Sequence, residues 1–361
     1  MQALETATSL TKDDRRFLRL ALSLARKGRG TCQPNPMVGA VLVSRKGEIL
    51  GRGYHVQAGQ GHAEVNALAD AKAHGHSARH ASLYVTLEPC STHGRTPPCT
   101  DAIVKAGISR VVIGCLDDNP LHAGVGVKII RDAGLQVQVA DGKIADDCRL
   151  LNEAFFWWIA RHRPFVCLKL AMTLDGKIAL PDGNSKWITG PAARNYVQML
   201  RQQAGAIMVG GRTALLDNPE LTVRPPFACL HQPRRFLWTS RTSLPGNLKI
   251  LQGDNPAELV QPRSQAEWLR FLRRLGQEDC NFLLLEGGGE LAAAALAAGI
   301  VNKLELFAAP MLALGRDSMP VTGGMAVPSL AEALQLNNLQ VRRIGRDFLF
   351  TGYCENVYRL D

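Results

Sequence analysis

The sequence predicts an α/β protein of two domains. Its 361 residues are about twice the length of a typical domain. Apolar residues make up 46% and charged residues 20% of the chain, a globular balance that excludes a disordered chain, a collagen and a disulfide-stapled miniprotein. Short apolar runs rich in β-branched residues alternate with helix-like segments in both halves, which indicates sheets covered by helices.

The first half begins with a helix around residues 17–24, where apolar residues recur at helical spacing. Thr11 with Asp14 predicts a capping box at its start. Strands are then predicted at 38–43, 83–87, 111–115 and 137–140, and helices at 63–73, 100–106 and 127–133. Because strands and helices alternate, we expect a largely parallel sheet. Residues 144–162 predict one further helix with a broad aromatic patch, which Arg163-Pro164 ends.

The alternation starts again after residue 160, so the domains are predicted at 1–160 and 161–361. Strands of the second half are predicted at 165–171, 206–209, 236–239, 282–285, 304–308 and 348–353, and helices at 192–203, 265–275 and 290–298. The stretch 225–265 is rich in Pro and Arg and has no clear assignment.

The charge and the cysteine content limit which partners and which cellular compartment fit the chain. The net charge of +10 favours anionic partners: phosphorylated metabolites, nucleotides or nucleic acid. The nine cysteines are odd in number and scattered, which indicates thiols or metal ligands in a reducing compartment. The N-terminal stretch carries Asp13, Asp14 and Arg19, unlike a signal peptide, and no apolar run approaches the roughly 20 residues that span a bilayer. We expect a cytoplasmic protein without a membrane partner.

One constellation carries chemistry in the first half. His62, Cys90 and Cys99 offer one imidazole and two thiolates, which are three zinc ligands and leave the fourth position open, as catalytic zinc sites do. A bound zinc ion makes its water a hydroxide donor near neutral pH. Glu64, two residues after His62, could reach that water and move protons. This H-x-E…P-C pattern is typical of zinc-dependent base deaminases, although eight residues separate the two cysteines here.

Other histidines of this half offer weaker alternatives. His93 lies between the two cysteines and competes as a zinc ligand. His55 is interpreted as a residue of the pocket or of its support. His74, His76 and His80 are interpreted as surface residues.

The second half lacks the common nucleotide motifs. Neither G-x-G-x-x-G nor G-x-x-x-x-G-K-[ST] occurs, and no G-x-S-x-G elbow indicates a serine hydrolase. Gly287 to Gly289 lie between a predicted strand and a helix, where backbone N–H groups could bind phosphate, although such a turn is as often a plain connection. The guanidinium groups of Arg201, Arg212 and Arg224 suit the binding of phosphate. It is equally consistent with the sequence that these three are solvated surface arginines.

Five sequence runs together resemble one family. They are PNPMVG (34–39), GHAE (61–64), TLEPCSTHGRTPPC (86–99), LKLAMTLDGK (168–177) and SKWIT (185–189). The chain resembles the bacterial bifunctional deaminase/reductases of riboflavin biosynthesis over nearly its whole length, most weakly across 225–281. The long segment between the cysteines is specific to this group among the deaminases.

The resemblance implies a cytidine-deaminase-like α/β/α layer domain followed by a dihydrofolate-reductase-like α/β domain, with Zn²⁺ and NADPH as cofactors. It implies His62, Cys90 and Cys99 as zinc ligands and Glu64 as the catalytic proton shuttle. The implied cofactor-binding residues are Ala171, Trp187, Thr213, Asp217, Gly288, Gly289, Glu290, Leu291, Ala292, Ala293 and Ala294. The implied substrate-binding residues are Asn35, Lys169, Ser185, Arg201, Leu221, Arg224 and Glu286, with the arginines on a phosphate, Asn35 in the pyrimidine pocket and Lys169 near the ribose.

The leading hypothesis is therefore a two-site enzyme acting on a small phosphorylated pyrimidine. Zinc-dependent deamination of 2,5-diamino-6-ribosylamino-4(3H)-pyrimidinone 5′-phosphate would precede NADPH-dependent reduction of the ribosyl group to ribityl. We expect a homo-oligomer, a dimer or larger, that binds no nucleic acid. The alternatives are a nucleic-acid base deaminase with a basic C-terminal binding domain and a non-catalytic zinc module. Only 6% of residues are aromatic and no basic stripe interleaves with them, which disfavours nucleic acid.

Overall fold

A computed structural model describes residues 9–93, 97–119 and 123–354. The chain divides into two compact units, Met1–Ala160 and Arg161–Asp361. No helix in the described ranges is long and apolar enough to cross a membrane.

The first unit is a five-stranded sheet between two layers of helices. Its strands are β1 (Gly39–Val43), β2 (Ile49–Tyr54), β3 (Ser82–Val85), β4 (Arg110–Ile113) and β5 (Gln136–Val139). Its helices are α1 (Lys12–Ala25), α2 (Ala63–Ala73), α3 (Cys99–Lys105), α4 (Val125–Asp132), α5 (Gly142–Leu151) and α6 (Glu153–Arg161). The sheet order is β2-β1-β3-β4-β5. Apolar residues of α1, α5 and α6 cover one face, and those of α2 and α4 with Ile103 of α3 cover the other.

Local signals explain where several of these elements begin. The capping box predicted at α1 is present, because the Thr11 hydroxyl accepts from the Asp14 N–H at 3.1 Å and the Asp14 carboxylate accepts from the Thr11 N–H at 2.9 Å. Helix α2 has the predicted bounds.

Two expectations for the first unit are wrong. The sheet is mixed, since β1 pairs antiparallel with both β2 and β3, and only β3-β4 and β4-β5 are parallel. The missed strand β2 follows β1 through a tight turn in which Gly47 has a φ of 84°. The predicted helix 144–162 is two helices, because Asn152 has a non-helical backbone with φ of -115° and ψ of 21°. Its side chain bonds the Met37 N–H at 2.8 Å and the Met37 C=O at 2.9 Å.

The second unit contains an eight-stranded sheet. Its strands are β6 (Phe165–Thr173), β8 (Ala206–Gly210), β9 (Arg234–Trp238), β10 (Glu258–Val260), β11 (Phe282–Glu286), β12 (Lys303–Ala309), β14 (Asn337–Ile344) and β15 (Asp347–Tyr353), and a separate pair joins β7 (Lys177–Ala179) to β13 (Met319–Pro320). The order is β10-β9-β8-β11-β6-β12-β15-β14, with only the last two pairings antiparallel.

Four helices flank this sheet: α7 (Pro191–Gln203), α8 (Gly211–Asp217), α9 (Gln265–Gln277) and α10 (Gly289–Ala297). Helices α9 and α10 share a buried core with Val166, Leu168 and Leu170 of β6. Helix α7 packs with Phe307 and Leu349 in a separate cluster. The α/β class is confirmed, but the sequence patterns missed β7, α8, β10, β13 and β14, which are short or, in β14, nearly all exposed.

Candidate active sites

Three metal-ligand side chains of the first unit converge as their spacing predicts. His62 is the residue that precedes α2, Cys99 is the first residue of α3, and Cys90 lies in the loop between β3 and α3. His62 Nδ1 lies 3.4 Å from Cys90 Sγ and 3.3 Å from Cys99 Sγ, and all three ligand atoms are within 4.8 Å of one another. Residues 94–96 of the intervening segment lie outside the described residues.

This donor set fits a zinc ion. Ligand atoms around tetrahedral zinc, bound at about 2.0 Å for nitrogen and about 2.3 Å for sulfur, would be roughly 3.6 Å apart. The observed nitrogen–sulfur distances of 3.3 and 3.4 Å are close to that value. One imidazole and two thiols are also ligands that zinc prefers, and the described residues supply no fourth member to the cluster.

The thiols of this cluster are polarised by their neighbours. The Cys99 N–H donates to Cys90 Sγ at 3.3 Å. Hydrogen bonds from the Cys99 thiol, the Cys99 N–H and His62 hold the pKa of Cys90 well below its usual value. Cys90 is therefore favoured as a thiolate, which is the form that binds metals.

Glu64 is placed beside the cluster by the first turn of α2. Only 3% of its surface is exposed, which is unusual for a glutamate. Burial raises the pKa of Glu64 to about 7. A carboxyl group with such a pKa can both take up and release a proton near neutral pH.

His55 connects the cluster to Asn35. The rings of His55 and His62 meet edge to face with centroids 5.1 Å apart. The His55 Nε2 lies 3.0 Å from the Asn35 amide nitrogen, and its Nδ1 lies 3.3 Å from the Gly61 carbonyl oxygen. Burial lowers the pKa of His55, which favours the neutral ring. These contacts are those expected if Nδ1 donates to Gly61 and Nε2 accepts from Asn35.

The other four histidines named from the sequence stay outside the cluster. His93 is exposed and does not join the three converging ligands, so it does not fit the alternative of a zinc ligand. His74, His76 and His80 are exposed.

The sequence patterns gave no role to Glu88, which supports the loop that carries Cys90. Its carboxylate accepts from the N–H groups of Gly124 at 3.0 Å and Val127 at 3.1 Å, at the start of α4. A carboxylate at a helix N-terminus is favourable. The sequence signal that could have indicated a role for Glu88 is its position two residues before Cys90.

In the second unit, a cavity of about 730 Å³ lies at the carboxyl ends of parallel strands β6, β8, β9 and β11, where ligands of α/β sheets commonly bind. Predicted residues that line it are Lys169, Ala171, Ser185, Trp187, Arg201, Thr213, Asp217, Leu221, Arg224, Glu286, Gly288, Gly289, Glu290 and Leu291. Ala292, Ala293 and Ala294 do not line it, and Ala292 is fully buried in the core. A cofactor contact for these three alanines stays a prediction.

The two predicted phosphate-binding arginines differ in their surroundings. Arg201 and Glu286 form a buried two-point ion pair, with Nε–Oε1 at 2.5 Å and Nη2–Oε2 at 2.8 Å. Nη1 of Arg201 donates to the Thr222 carbonyl at 3.2 Å. Arg224 is exposed. Its guanidinium is therefore the more accessible of the two to an anion.

Lys169 lies next to this ion pair. It is opposite Glu286 in the β6–β11 register and is partly buried. Burial lowers the pKa of Lys169, although the nearby Glu286 opposes this effect. A surface lysine at a strand end, the alternative to a ribose contact, does not fit this position.

Three further predicted residues that line the cavity, Ser185, Asp217 and Trp187, have side-chain partners in the structure. The Ser185 hydroxyl donates to Asp217 Oδ1 at 2.8 Å. The guanidinium of Arg194 lies 4.5 Å from the centre of the Trp187 ring, whose residue is 66% exposed. An exposed tryptophan at a cavity is a candidate platform for a planar ligand.

The glycine turn before α10 is built for close approach. Gly287 and Gly288 have φ of 75° and 79°, a region that favours glycine. A Cβ on Gly288 would lie 2.8 Å from the Thr213 hydroxyl. The turn therefore brings the start of α10 against Thr213 at the cavity wall, where its N–H groups suit a phosphate.

The sequence patterns missed the wall that follows β9. Trp238, Thr239, Ser240 and Arg241 line the cavity. The signal was available, because these residues end a predicted strand and the carboxyl ends of parallel strands meet at one edge. This wall was missed because most of the surrounding stretch 225–265 had no clear assignment from the sequence.

Family models match both units. Residues 11–115 match the cytidine and deoxycytidylate deaminase zinc-binding region, and residues 164–350 match the RibD C-terminal domain. These matches confirm the cytidine-deaminase-like fold of the first unit and identify the second as a reductase domain of the NADPH-dependent RibD type.

Whole-chain relatives agree with both domains. The riboflavin biosynthesis protein RibD of Synechocystis is 41% identical over 95% of this chain and 97% of its own, and that of Aquifex aeolicus is 39% identical over 93% and 97%. The structure of Acinetobacter baumannii RibD covers 95% of this chain and 99% of its own at 34% identity, with a TM-score of 0.81.

A second similar structure is that of a protein named for both activities. The Thermotoga maritima diaminohydroxyphosphoribosylaminopyrimidine deaminase/5-amino-6-(5-phosphoribosylamino)uracil reductase covers 94% of this chain and 98% of its own, at 33% identity and a TM-score of 0.84. The chain therefore belongs to the RibD family and is a bifunctional deaminase/reductase of riboflavin biosynthesis, with a zinc-binding deaminase domain followed by a reductase domain.

Proposed function

We propose that the first unit deaminates 2,5-diamino-6-ribosylamino-4(3H)-pyrimidinone 5′-phosphate and that the second unit then reduces the ribosyl group of the product to ribityl. The convergence of His62, Cys90 and Cys99 beside the buried Glu64 carries this proposal. It combines a three-ligand set, which leaves room for a reacting water, with a carboxyl group of suitable pKa.

In the deaminase site, His62, Cys90 and Cys99 would hold the zinc ion. Zinc, when bound, supplies the Lewis acidity that makes water a nucleophile near neutral pH. Glu64 takes a proton from the attacking water and delivers one to the departing amine. The oxygen of the water bonds to the amine-bearing ring carbon, the exocyclic carbon–nitrogen bond breaks, ammonia leaves and a carbonyl group remains.

Asn35 would bind the pyrimidine, and His55 would orient the Asn35 side chain. An amide can both donate to and accept from a pyrimidine edge. His55 fixes the Asn35 amide nitrogen at 3.0 Å, so the amide reaches the substrate in one defined orientation.

In the reductase site, NADPH supplies the reducing equivalents when bound. The cofactor would lie along Ala171, Trp187, Thr213, Asp217 and the turn at Gly288, with the substrate between Ser185, Leu221 and Glu286. Reduction at the first ribose carbon opens the sugar ring, so the ring oxygen needs a proton. Lys169 and Asp217 are the candidate donors, and the lowered pKa of Lys169 suits proton release.

Three broader features complete the proposal. None of the nine cysteines, all of which lie in the described part of the chain, forms a disulfide, which supports a reducing, cytoplasmic location. The sparse aromatic content supports a small-molecule substrate over nucleic acid. The exposed apolar side chains Met325, Leu330 and Leu334 support association into a homo-oligomer.

Mass spectrometry of the products, with and without NADPH, tests the function. We expect deamination without NADPH and reduction only after it is added. Deamination that is never followed by reduction would contradict the second step. No reaction in a protein shown to hold zinc, together with salt-sensitive RNA binding, would favour the nucleic-acid deaminase instead.

A further inference from the structure

A strained residue borders the cavity of the second unit. Leu221 has a φ of 54°, in the left-handed region that non-glycine residues seldom adopt, and it is 2% exposed. It lies in the segment 220–224, of which Glu220, Leu221 and Arg224 line the cavity. Such a conformation persists only where the surrounding structure fixes it.

Two buried arginines hold the main-chain carbonyl groups of the two residues that flank Leu221. Nη1 of Arg235 donates to the Glu220 carbonyl at 3.0 Å. Nη1 of Arg201 donates to the Thr222 carbonyl at 3.2 Å. Both arginines are buried, so water competes little for these charge-assisted hydrogen bonds.

Arg235 differs from Arg201 in its remaining partners. Its Nε donates to the Asn255 carbonyl at 2.7 Å and its Nη2 to the Gln252 carbonyl at 2.9 Å. Within the described ranges, no carboxylate forms an ion pair with it. A buried guanidinium whose described hydrogen bonds all go to main-chain carbonyls fixes loop conformation, and here it ties residue 220 and the loop at 252–255 to β9.

Two glutamines hold the rest of the segment. Gln232 Oε1 accepts from the Val223 N–H at 2.8 Å, and its Nε2 donates to the Val223 carbonyl at 3.1 Å. Gln198 Oε1 accepts from the Arg224 N–H at 3.0 Å. Four of the five residues in 220–224 are thus bonded through their main chain to a side chain from outside the segment.

We propose that Arg235 is a positioning residue for the anionic end of the reductase substrate, an inference that rests on the proposed function. Together with Gln232 it fixes the segment 220–224, so that the exposed Arg224 faces the substrate phosphate in a defined place. A side chain on a fixed backbone loses less freedom on binding than one on a mobile segment, and a displaced binding group weakens recognition. Arg235 itself does not line the cavity.

Steady-state reduction of the deaminated substrate by the full-length protein tests this role. We expect Arg235→Ala to raise the KM for that substrate about tenfold, with a smaller change in kcat. Added guanidinium ion can occupy the space left by the side chain, so millimolar guanidinium chloride lowers the KM again while sodium chloride at equal concentration does not.

The adjacent Arg234 provides a matched control. It lies on the same strand, but its side chain pairs with Glu278 and Glu258 and does not line the cavity. We expect Arg234→Met to leave the KM unchanged. An equal rise in KM in this variant would mean general loosening of β9 and would overturn the proposal.

Gln232→Ala keeps the test decisive if Arg235→Ala fails to fold, because Gln232 is exposed. We expect this variant to raise the KM in the same direction. An unchanged KM in Gln232→Ala and in any folded Arg235→Ala would refute the positioning role while the wild-type protein still reduces substrate. Absence of reduction by the wild-type protein would refute the proposed function itself.

Discussion

Glu64 illustrates how one position combines a local and a tertiary requirement. It lies in the first turn of α2, two residues after His62, so the H-x-E pattern already implied that it would be near the imidazole. Its burial to 3% exposure comes from the packing of the unit, and that burial raises the pKa of Glu64 to about 7. Spacing therefore selects the residue, and packing gives it the proton affinity that its proposed role needs.

The proposed role predicts the effect of Glu64→Gln. The amide keeps the size of the side chain but cannot move a proton, so deamination should fall by at least about 100-fold. Zinc content, measured by metal analysis, should stay at the wild-type level because Glu64 is not a ligand. The assay is ammonia release from the phosphorylated substrate.

Reduction provides the internal control for this variant. NADPH oxidation with pre-deaminated substrate should be unchanged in Glu64→Gln. Loss of both activities in a folded variant would argue against two separate sites, and loss of zinc would reassign Glu64 to the metal.

At the same scale, Arg201 marks the limit of sequence reasoning. Its residue type suits phosphate, and the sequence patterns left a phosphate ligand and a solvated surface arginine equally open. The structure pairs it with Glu286, which lies 85 positions away in the chain. No local pattern reports such a contact, because it depends on α7 and β11 packing together.

At the scale of elements, the turn before α10 depends on two glycines of different kinds. Gly287 and Gly288 both have positive φ. A Cβ on Gly287 would meet no atom within 4 Å, whereas one on Gly288 would lie 2.8 Å from the Thr213 hydroxyl. Only the second glycine is required by close packing as well as by backbone conformation.

We therefore predict that Gly288→Ala is more destabilising than Gly287→Ala by about 1 kcal/mol, because it adds overpacking to a shared backbone cost. Denaturant unfolding of both variants measures the difference. Thr213→Ala in the Gly288→Ala background should recover it. Equal stability of the two single variants would show that Thr213 moves aside freely.

Asp14 joins three elements of the first unit. It is buried at the start of α1, and its carboxylate accepts from the Tyr84 hydroxyl of β3 at 2.9 Å and from Arg110 of β4 at 2.8 Å. Burial alone would raise the pKa of Asp14, but hydrogen bonds from Arg110, Thr11 and Tyr84 hold it well below its usual value. The folded state thus binds this proton more weakly than the unfolded chain does.

This depressed pKa predicts a pH-dependent stability. The contribution of Asp14 is present above its unfolded pKa, near 4, and is lost as the pH falls further. Asp14→Asn should cost about 3 kcal/mol at pH 7, because it leaves Arg110 without its buried partner. Denaturant unfolding at pH 7 and in acid should show the two proteins converging as the pH falls.

Asp13→Asn is the neighbouring control. Asp13 is exposed and lies 4.0 Å from Arg16, so its loss should change stability by less than about 0.5 kcal/mol. A difference between wild type and Asp14→Asn that does not shrink in acid would mean that packing, and not charge, dominates at this position.

At the scale of the whole molecule, each site is built within one unit. The metal-ligand cluster uses residues 62–99, and the described cavity of the second unit is lined by residues between 169 and 323. Each proposed chemical step therefore has its candidate groups within a single unit.

If each site works without the other, the deaminated intermediate can pass from one to the other through solution. Wild-type protein is incubated with substrate without NADPH and removed by ultrafiltration. Glu64→Gln protein and NADPH are then added to the filtrate. We expect full reduction of the intermediate in the filtrate, measured by mass spectrometry. Reduction only in unfiltered mixtures would indicate direct transfer of the intermediate between the sites.

The sequence by itself determined the α/β class and most core elements and pointed to the candidate zinc ligands and proton shuttle, because these depend on periodicity and on the order and spacing of motif residues. Tertiary structure decided the mixed order of the first sheet, the break at Asn152, the pairing of Arg201 with Glu286 and the hold of Arg235 on Glu220. Those features depend on contacts between residues far apart in the chain, which only the packed fold brings together.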